Sequence, residues 1–520
     1  MLFHQPIDFH ADRFPDNPSI SAPDHRWSYA ELVGYSHSIA GYLLAQGVSP
    51  GERIGILGLN SAVHFAIMLG ASRMGAVTVV VNFRLAPAEL AFILDDAGIE
   101  QLFVTDESLD DAVSAVLDQR EGGTHLVAAR ADAHTLLTDA LAFSSTRELP
   151  ELPFDEQAPV LQLYTSGTTG KPKGAVLSHR NMGSLTHMTS IGNDGIYTSD
   201  SVNLVVAPFF HIGGVGITYN GLAHGVHNIV YAAFDPVEVV ESIQRDKVNS
   251  MFMVPAMIQA IVKMVPNVRD YDFSSLDIIA YGAAPISATL LEEAMEVFGC
   301  DFGQVYGMTE TTGAVVSLPP EDHVRAVNGQ PELLTSCGKG YPGCEIKIID
   351  EDGNTLGPNT TGEICLRSAS NMLGYHNRPE ATESTIRNGW VLTGDAGYLD
   401  EAGYLYLRDR LKDMVVSGGE NIYPVEVENV LAALPGVIEV AVIGIPDEQY
   451  GEALLAFFAL QPNTSLSADD MIAFCRDKLA GYKIPRQLEI VPALPRNPSG
   501  KVLKTTLREP YWQGIDRRIS

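Results

Sequence analysis

Residues 160–174 read VLQLYTSGTTGKPKG, and this segment largely decides the fold. It opens as an apolar strand and continues directly into a loop rich in glycine and hydroxyl residues, with two lysines. Glycines permit a tight turn that exposes backbone N–H groups, and such a turn can cradle a polyphosphate. It is not a Walker loop, because that motif needs glycine at Thr165 and a hydroxyl residue at Pro172. We predict a phosphate-binding loop formed by Thr165, Ser166, Gly167, Thr168, Thr169, Gly170, Lys171 and Lys173.

Apolar runs of strand length flank this loop along the chain, with helical patterns between most of them. Before the loop come RIGILGL, AVTVVV and QLFVT, and after it come NLVVAP, SMFMV, DIIAY and FGQVY. Alternating strands and helices are typical of parallel sheets covered by helices. The sequence therefore predicts an α/β fold whose large N-terminal domain, residues 1–409, contains doubly wound parallel sheets. A polar stretch from about Ser108 to Gln157 is expected to be irregular.

The texture of the sequence changes twice in the last third of the chain. Short Gly-rich and Pro-rich strands such as EIKIID and GEICLR predict a β-subdomain over about residues 335–409. A final block has the order strand, helix, strand, strand, helix, strand, which can form a small independent unit. We therefore expect a small α+β C-terminal domain over residues 414–520, joined to the larger domain through residues 410–413.

Three further unusual segments directly follow predicted strands. These are residues 208–211 (PFFH), 282–285 (GAAP) and 306–310 (YGMTE). Open α/β sheets bind ligands outside the carboxyl ends of their strands. We therefore expect these segments and the loop at 165–174 to converge on one sheet edge and to form the site.

The composition limits the classes of function. A formal net charge of −30, with an isoelectric point near 4.7, argues against a nucleic-acid groove and against binding to an anionic membrane surface. The five cysteines form no C-x-x-C pair, which favours a reducing, cytoplasmic setting. Two long uncharged stretches, residues 54–72 and 201–234, are interrupted by Gly, Asn and His, so no stable membrane insertion is expected. Small-molecule chemistry fits best, and a homodimer is left open.

The order of these motifs is that of one known family. The segments above are followed by WVLTGD, by DRLKDMVVSGGENIYPVEVE and by LPRNPSGKVLK. Together they resemble the adenylate-forming superfamily, which includes acyl-CoA synthetases, adenylation domains of peptide synthetases and beetle luciferases. The resemblance extends over nearly the whole chain. It implies that the cofactors are ATP, Mg²⁺ and coenzyme A and that the substrate is a small-molecule carboxylic acid.

The resemblance also implies a role for each motif residue. The loop at 165–174 would hold the β- and γ-phosphates of ATP, Thr309 would contact the α-phosphate, and Glu310 would hold Mg²⁺. Asp395 and Arg410 would bind the ribose hydroxyls, since a carboxylate accepts two hydroxyl hydrogen bonds. The residues expected to flank adenine are Gly282, Ala283, Ala284, Pro285 and Tyr306, and the nucleotide-binding set is completed by Gly307 and Met308.

The resemblance further implies how two half-reactions share one site. Lys501 would approach the carboxylate and the α-phosphate, where a preorganised cation offsets growing negative charge. Lys412 matches a hinge about which the C-terminal domain rotates, and Gly418 and Gly419 match a turn that lines the pantetheine tunnel. His211 has two alternatives, assisting the thiol or gating the acyl pocket. The predicted catalytic residues are thus Lys501, Thr309, Glu310 and His211.

The predicted activity is that of an ATP-dependent, AMP-forming acyl-CoA synthetase. The expected acyl pocket draws on residues 210–213, the neighbourhood of residues 253–257 and the strand end near Gly282. The local composition there is apolar, with Phe209, Phe210, Ile212, Met251 and Met253. The acid is therefore predicted to be hydrophobic, either a medium or long fatty acid or an aromatic acid of the cinnamate type. Residues 208–214 carry no Asp where amino-acid-activating relatives have one, which implies an acid without an α-amine. Alternatives that remain open are a stand-alone adenylation enzyme that loads an acyl carrier protein, a luciferase-like oxidase, and a catalytically silent binding protein of the same fold.

Overall fold

The structure is a computed structural model that describes residues 1–22, 25–109, 113–114, 116, 125–128, 149, 153–165, 172–192, 197–198, 200–284, 286, 288–410, 413–417, 420–447, 449–462, 464–476, 478–496 and 502–513. Its strands up to residue 340 are β1 (Pro18–Ala22), β2 (His25–Ser28), β3 (Arg53–Leu57), β4 (Val77–Val81), β5 (Gln101–Val104), β6 (His125–Ala128), β7 (Pro159–Thr165), β8 (Lys173–Ser178), β9 (Val202–Val205), β10 (His227–Val230), β11 (Ser250–Met253), β12 (Ile278–Gly282), β13 (Asp301–Met308), β14 (Gly313–Leu318) and β15 (Lys339–Gly340). The helices of this part are α1 (Gln5–Arg13), α2 (Tyr29–Ala45), α3 (Ala62–Arg73), α4 (Pro87–Asp96), α5 (His179–Gly192), α6 (Ile212–Ala223), α7 (Pro236–Asp246), α8 (Pro255–Met264), α9 (Ala288–Phe298) and α10 (Pro320–Val327).

Shorter elements dominate the rest of the chain. The strands there are β16 (Glu345–Ile349), β17 (Gly362–Arg367), β18 (Gly374–Tyr375), β19 (Ile386–Arg387), β20 (Trp390–Leu399), β21 (Leu405–Arg410), β22 (Val415–Ser417), β23 (Glu420–Ile422), β24 (Val437–Asp447), β25 (Gly451–Leu460) and β26 (Gln487–Ile490). The helices are α11 (Pro379–Thr385), α12 (Pro424–Leu431), α13 (Ala468–Cys475) and α14 (Lys504–Arg508). Among the helices of both parts, none combines the length and the apolar character that a membrane span requires.

Two mainly parallel sheets form the larger part of the molecule. In the described residues, the first has the order β15-β14-β13-β12-β11-β9-β10-β1-β2 and the second the order β18-β8-β7-β4-β3-β5-β6. Strands from β13 to β1 run parallel in the first sheet, as do strands from β7 to β6 in the second, while the outer strands pair antiparallel. Inner strands such as β4, VTVVV, are buried at every position, as parallel sheets require. The predicted α/β fold with parallel sheets is confirmed.

A shared hydrophobic core joins the two parallel sheets. It contains Ile54 and Leu161 from the second sheet and Val205 from the first, each at most 2% exposed. Phe65 of α3 meets Phe209, which follows β9, edge to face with ring centroids 5.3 Å apart. This packing fixes the carboxyl ends of the two sheets relative to each other, which is where the motif segments lie.

Two sequence-based expectations are wrong. The stretch expected to be irregular contains β6, which pairs with β5 at the edge of the second sheet. The four motif segments do not share one sheet edge, because β9, β12 and β13 belong to the first sheet whereas the loop at 165–174 joins β7 to β8 of the second. The physical reason is that alternation of strands and helices shows local structure but not which strands pair, so two sheets of the same kind look like one.

The last part of the chain has two further sheets. Residues 345–410 form an antiparallel sheet with the order β16-β17-β20-β19, and β21 pairs with β20. Residues 415–490 form a sheet with the order β23-β22-β25-β24, and β26 pairs with β25. This last sheet contains the predicted strands, with β23 in addition. Two hydrophobic clusters that cover it consist of residues 415–511 alone.

Candidate active site

A cavity of about 1390 Å³ lies at the carboxyl ends of strands from both parallel sheets. Thr165 and Lys173, which flank the predicted phosphate loop, line it from the second sheet. Ala283 after β12 and residues 307–310 at the end of β13 line it from the first sheet. Residues 208–214, which follow β9, line it except at Phe209. The motif segments thus meet at one cavity, although they come from two sheets.

Several predicted site residues lie outside the described residues, and their roles stay predictions. These residues are Ser166, Gly167, Thr168, Thr169, Gly170, Lys171, Pro285, Lys412, Gly418, Gly419 and Lys501. Arg410 ends β21, where its backbone is paired in register with Asp395 of β20. The two residues predicted to bind ribose are therefore neighbours across these strands.

The described ends of the predicted phosphate loop form the base of a β-hairpin. Thr165 ends β7 and Lys173 begins β8, and the two residues are antiparallel partners. The Thr165 hydroxyl donates a hydrogen bond to the Lys173 carbonyl oxygen at 3.4 Å. The Lys173 ammonium lies 5.2 Å from the centroid of the Tyr375 ring, which is within the range of a cation–π contact. An ammonium group is therefore held at the cavity beside the loop.

Glu310 directly follows β13 in the short 3₁₀ turn Thr309–Thr311, and its side chain is buried where it lines the cavity. Its Oε1 accepts a hydrogen bond from the Tyr375 hydroxyl at 2.5 Å. Its carbonyl oxygen accepts a second one from the Met372 N–H at 2.8 Å. The segment that carries β18 therefore holds Glu310 from the side of the second sheet. Tyr375 was not predicted from the sequence, because it lies outside all of the motifs.

The surroundings of Glu310 fit a Mg²⁺ ion that keeps most of its ligands as water and phosphate oxygens. A carboxylate oxygen is a hard ligand of the kind that Mg²⁺ prefers, and such ions are commonly held by one or two carboxylates together with substrate phosphates. Within the described ranges, no group of three or more His, Cys, Asp or Glu side chains converges on a metal position. When bound, Mg²⁺ would neutralise phosphate charge beside Glu310.

Tyr306 and Asp395 form a partly buried pair beside the cavity. The Tyr306 hydroxyl donates to Asp395 Oδ2 at 2.7 Å, and Asp395 is 4% exposed. Burial, and then the negative charge of Asp395, raise the pKa of Tyr306 well above its usual range, so the hydroxyl stays protonated. The Asp395 N–H donates to Thr393 Oγ1 at 3.1 Å, and Thr393 lines the cavity. Tyr306 therefore orients the carboxylate that is predicted to bind ribose, a contact that the sequence did not reveal.

Close backbone contacts explain the small residues of the predicted adenine region. A Cβ atom at Gly282 would lie 2.3 Å from the Val305 carbonyl oxygen, and one at Gly307 would lie 1.9 Å from the Gly313 carbonyl oxygen. Ala283 lines the cavity and adopts a left-handed conformation, with φ of 66°. Met308 and Thr309 line the cavity, and Ala284 is exposed next to Ala283 without lining the cavity.

The apolar side of the cavity is fixed by an asparagine from the other sheet. Asn60 follows β3 and is 6% exposed. Its Nδ2 donates to the Ala207 carbonyl oxygen at 2.9 Å, and its Oδ1 accepts from the Phe209 N–H at 2.8 Å. These bonds hold the segment that carries Phe210 and His211, whose rings lie 4.5 Å apart. Asn60 is a positioning residue, and no pattern in the sequence indicates that it contacts this segment.

The surface next to these rings is mostly apolar. Ile212, Met251, Phe252 and Met257 line the cavity on this side, whereas Phe209 and Met253 are buried and do not line it. His211 is the N-cap residue of α6 and lines the cavity as well. Both alternatives for His211 stay open.

The C-terminal part of the chain reaches the same cavity. Val502, Leu503 and Lys504 line it, so the described residues that follow Lys501 lie beside the other motifs. Lys504 Nζ lies 2.8 Å from Glu428 Oε1 and 4.0 Å from Asp409 Oδ2. Burial lowers the pKa of Lys504, but the charges of Glu428 and Asp409 outweigh that effect and raise it. A buried ion cluster therefore links residues on both sides of the predicted hinge.

Two family models match the chain. The model described as AMP-binding enzyme covers residues 7–376, and the model described as AMP-binding enzyme C-terminal domain covers residues 426–501. The chain belongs to the AMP-binding enzyme family. The family resemblance found in the motifs is confirmed.

Other AMP-binding enzymes match it over nearly the full length. The fatty acid–[acyl-carrier-protein] ligase ScoC of Streptomyces coeruleorubidus is 37% identical over 99% of this chain and 98% of its own. The feruloyl-CoA synthase of an Amycolatopsis species is 36% identical over 93% of this chain and 94% of its own. A solved structure of o-succinylbenzoate coenzyme A synthetase (MenE) from Bacillus subtilis, in complex with ATP and magnesium ion, matches with a TM-score of 0.83 and 32% identity, covering 96% of this chain and 98% of that one.

Proposed function

We propose that this AMP-binding enzyme activates a hydrophobic carboxylic acid with ATP and transfers the acyl group to the thiol of coenzyme A. In the first step, a carboxylate oxygen attacks the α-phosphorus and the bond to pyrophosphate breaks, which leaves an acyl adenylate. In the second step, the thiol sulfur attacks the acyl carbonyl carbon, its proton is lost, and AMP leaves. The observation that carries the proposal is that one cavity joins Glu310 and the base of the phosphate loop to an apolar pocket.

The charged residues around the cavity suit the first step. Two anions must meet when the acid approaches ATP, and negative charge grows on the α-phosphate oxygens. Lys173 places one ammonium group beside the loop, and we expect Lys501 to place a second one at the reacting atoms. Asp395, oriented by Tyr306, would accept the ribose hydroxyls with the help of Arg410. These roles offset the unfavourable field of a strongly acidic protein.

The acceptor thiol has two candidates. The feruloyl-CoA synthase and the o-succinylbenzoate coenzyme A synthetase named above use coenzyme A, which supports coenzyme A as the acceptor here. ScoC is named as a ligase of fatty acids to an acyl carrier protein, and this relative favours a carrier protein as the second candidate. The same relatives support either a fatty or an aromatic acid, as the apolar pocket does.

A screen of ATP–pyrophosphate exchange tests the proposal. The purified protein would be assayed with aliphatic and aromatic acids, and then with coenzyme A and with an acyl carrier protein as acceptors. We expect exchange with at least one hydrophobic acid and thioester formation on coenzyme A. Exchange followed by transfer only to the carrier protein would select the second candidate. Absence of exchange with every acid would favour a binding protein without catalysis.

We also infer a division of the chain at residues 410–413, with a domain of residues 1–409 before it and one of residues 414–520 after it. The hydrophobic clusters made only of residues 415–511 support this division. A cytoplasmic location is supported by the five cysteines, all of which are described and free. A homodimer stays a prediction that size-exclusion chromatography with light scattering would test.

A further inference from the structure

Part of the cavity lies between α5 and α6. Along α6, the residues that line it recur at spacings of three and four, so they share one face of the helix. These residues are Ile212, Gly213, Gly216, Ile217 and Asn220, and Gly214 in the first turn lines the cavity as well. From α5, the cavity is lined by Leu185 and Thr189. The wall is apolar or glycine near the start of α6 and becomes polar near its end.

The polar end consists of Thr189, Tyr197 and Asn220, which all line the cavity and which we call the distal polar cluster. Asn220 is 6% exposed, and its Oδ1 accepts a hydrogen bond from the Thr189 hydroxyl at 3.0 Å. The Asn220 side chain also influences the Tyr197 hydroxyl, whose pKa it lowers. The Tyr197 ring lies 5.5 Å from the His224 ring, which fixes its position. The cluster is therefore ordered by its own contacts.

The hydroxyl of Tyr197 stays protonated at neutral pH. Burial, followed by the nearby Tyr341, raises the pKa of Tyr197 to about 12, although the hydrogen bond from Asn220 lowers it. A protonated hydroxyl can donate its proton to another oxygen. Tyr197 is thus equipped to donate to a ligand in the cavity.

The distal polar cluster is far enough from the reaction centre to contact the opposite end of an acid. His211 stands at the start of α6, beside the segments predicted to hold the nucleotide and the carboxylate. The helical rise puts roughly 13 Å along the axis between His211 and Asn220. An acid whose carboxylate lies near His211 would therefore extend along the apolar wall toward the cluster.

We propose that the distal polar cluster recognises a hydroxyl group at the far end of the acid, so that the preferred substrate is a hydrophobic acid with a distal hydroxyl. This inference rests on the proposed function and narrows its substrate class. The hydroxyl accepts from Tyr197 and donates to the Asn220 Oδ1. A purely hydrocarbon end would instead press methyl or methylene groups against the buried Asn220 amide and the Tyr197 hydroxyl. A site built to bond a substrate hydroxyl discriminates strongly against the analogue that lacks it.

Matched pairs of acids test this proposal. The pairs are 4-hydroxycinnamate with cinnamate, and ω-hydroxydecanoate with decanoate, and the quantity measured is kcat/KM for pyrophosphate release. In the wild type, we expect a preference of roughly tenfold or more for the hydroxylated member of at least one pair. Tyr197→Phe and Asn220→Leu should reduce that preference to about threefold or less, chiefly by lowering kcat/KM for the hydroxylated acid.

Tyr219→Phe is the matched control. It is the same change of tyrosine to phenylalanine, and it removes the buried hydroxyl of a residue on α6. Tyr219 is fully buried and its ring stacks on Phe3 at 4.2 Å, away from the cavity. We expect this variant to keep the wild-type preference. The proposal is overturned if neither pair shows a preference in the wild type, or if the preference survives both Tyr197→Phe and Asn220→Leu. Failure of every acid to support pyrophosphate exchange would instead overturn the proposed function itself.

Discussion

Replacing Lys504 with methionine tests the buried ion cluster that links the C-terminal part to the rest of the chain. The side chains of Lys504, Glu428 and Asp409 are 13%, 16% and 4% exposed. Methionine keeps much of the lysine volume but removes the charge. Two buried carboxylates would then lie close together without the Lys504 cation, and each would repel the other.

The expected cost follows from the hydrogen bonds that remain. Removing one partner of a buried ion pair costs about 3–5 kcal/mol. We expect the lower end, about 3 kcal/mol, because Glu428 still accepts from the Val442 N–H at 2.6 Å and Asp409 from the Val425 N–H at 3.0 Å. That loss corresponds to roughly 10²-fold faster exchange of amide hydrogens that open together with the cluster.

The stability lost in the Lys504→Met variant should also depend on pH. Burial, partly offset by Lys504, raises the pKa of Asp409 to about 6, above the value of about 3.9 for an exposed aspartate. Because the pKa is raised in the folded protein, ionised Asp409 destabilises the fold above about pH 6, and protonation removes that cost as the pH falls. Without Lys504 the pKa rises further. The variant should therefore be most impaired near about pH 8 and less impaired below about pH 6.

Hydrogen–deuterium exchange with mass spectrometry measures the loss of stability in each region of the chain. Peptides from α12 and β24 would be compared with peptides from β3 and β4, after correction for the intrinsic pH dependence of exchange. Lys263→Met is the matched control, because it removes an exposed ion pair with Glu293 and should cost less than about 1 kcal/mol. The reasoning is refuted if Lys504→Met behaves like Lys263→Met, or if its impairment grows toward low pH.

Three further predictions concern the nucleotide side. Tyr306→Phe removes the hydrogen bond to Asp395, so the KM for ATP in pyrophosphate exchange should rise roughly 5–30-fold, and an unchanged KM would contradict the positioning role. Gly307→Ala brings a Cβ atom to 1.9 Å from the Gly313 carbonyl oxygen, so thermal unfolding should show a loss of at least about 2 kcal/mol. Lys501→Ala should suppress adenylate formation while thioester formation from supplied acyl adenylate continues; equal loss of both steps would argue against domain rotation.

Local features of the sequence predicted much of the fold. The valines of β4 and the apolar run of β7 predict strands from the local sequence alone. Glu310 and Asp395 are identified by the motifs that contain them. The family, and the types of residue at the site, could therefore be inferred without a structure. The pocket walls near Phe210 could also be inferred, because an apolar segment follows directly after a strand.

Contacts between segments that are far apart in the sequence could not be predicted from these local features. The Tyr375 hydroxyl reaches Glu310 over 65 residues of sequence, and Asn60 reaches Phe209 over 149. Each contact depends on how the two sheets are placed, and a pattern of strands and helices does not determine that placement. For the same reason, the sequence did not show that Thr189 and Asn220 meet beside the cavity.

The separation of the cavity walls from the strands also affects how such an enzyme can change its selectivity for the acid. The walls that would enclose the acid stand largely on α5 and α6, whereas Glu310 lies in the turn after β13 and Asp395 lies within β20. Side chains on those helices can be substituted without shifting the strands. Selectivity for the acid can therefore change while the reaction with ATP stays the same. Library mutagenesis confined to α5 and α6 is accordingly the economical route to variants that accept new acids.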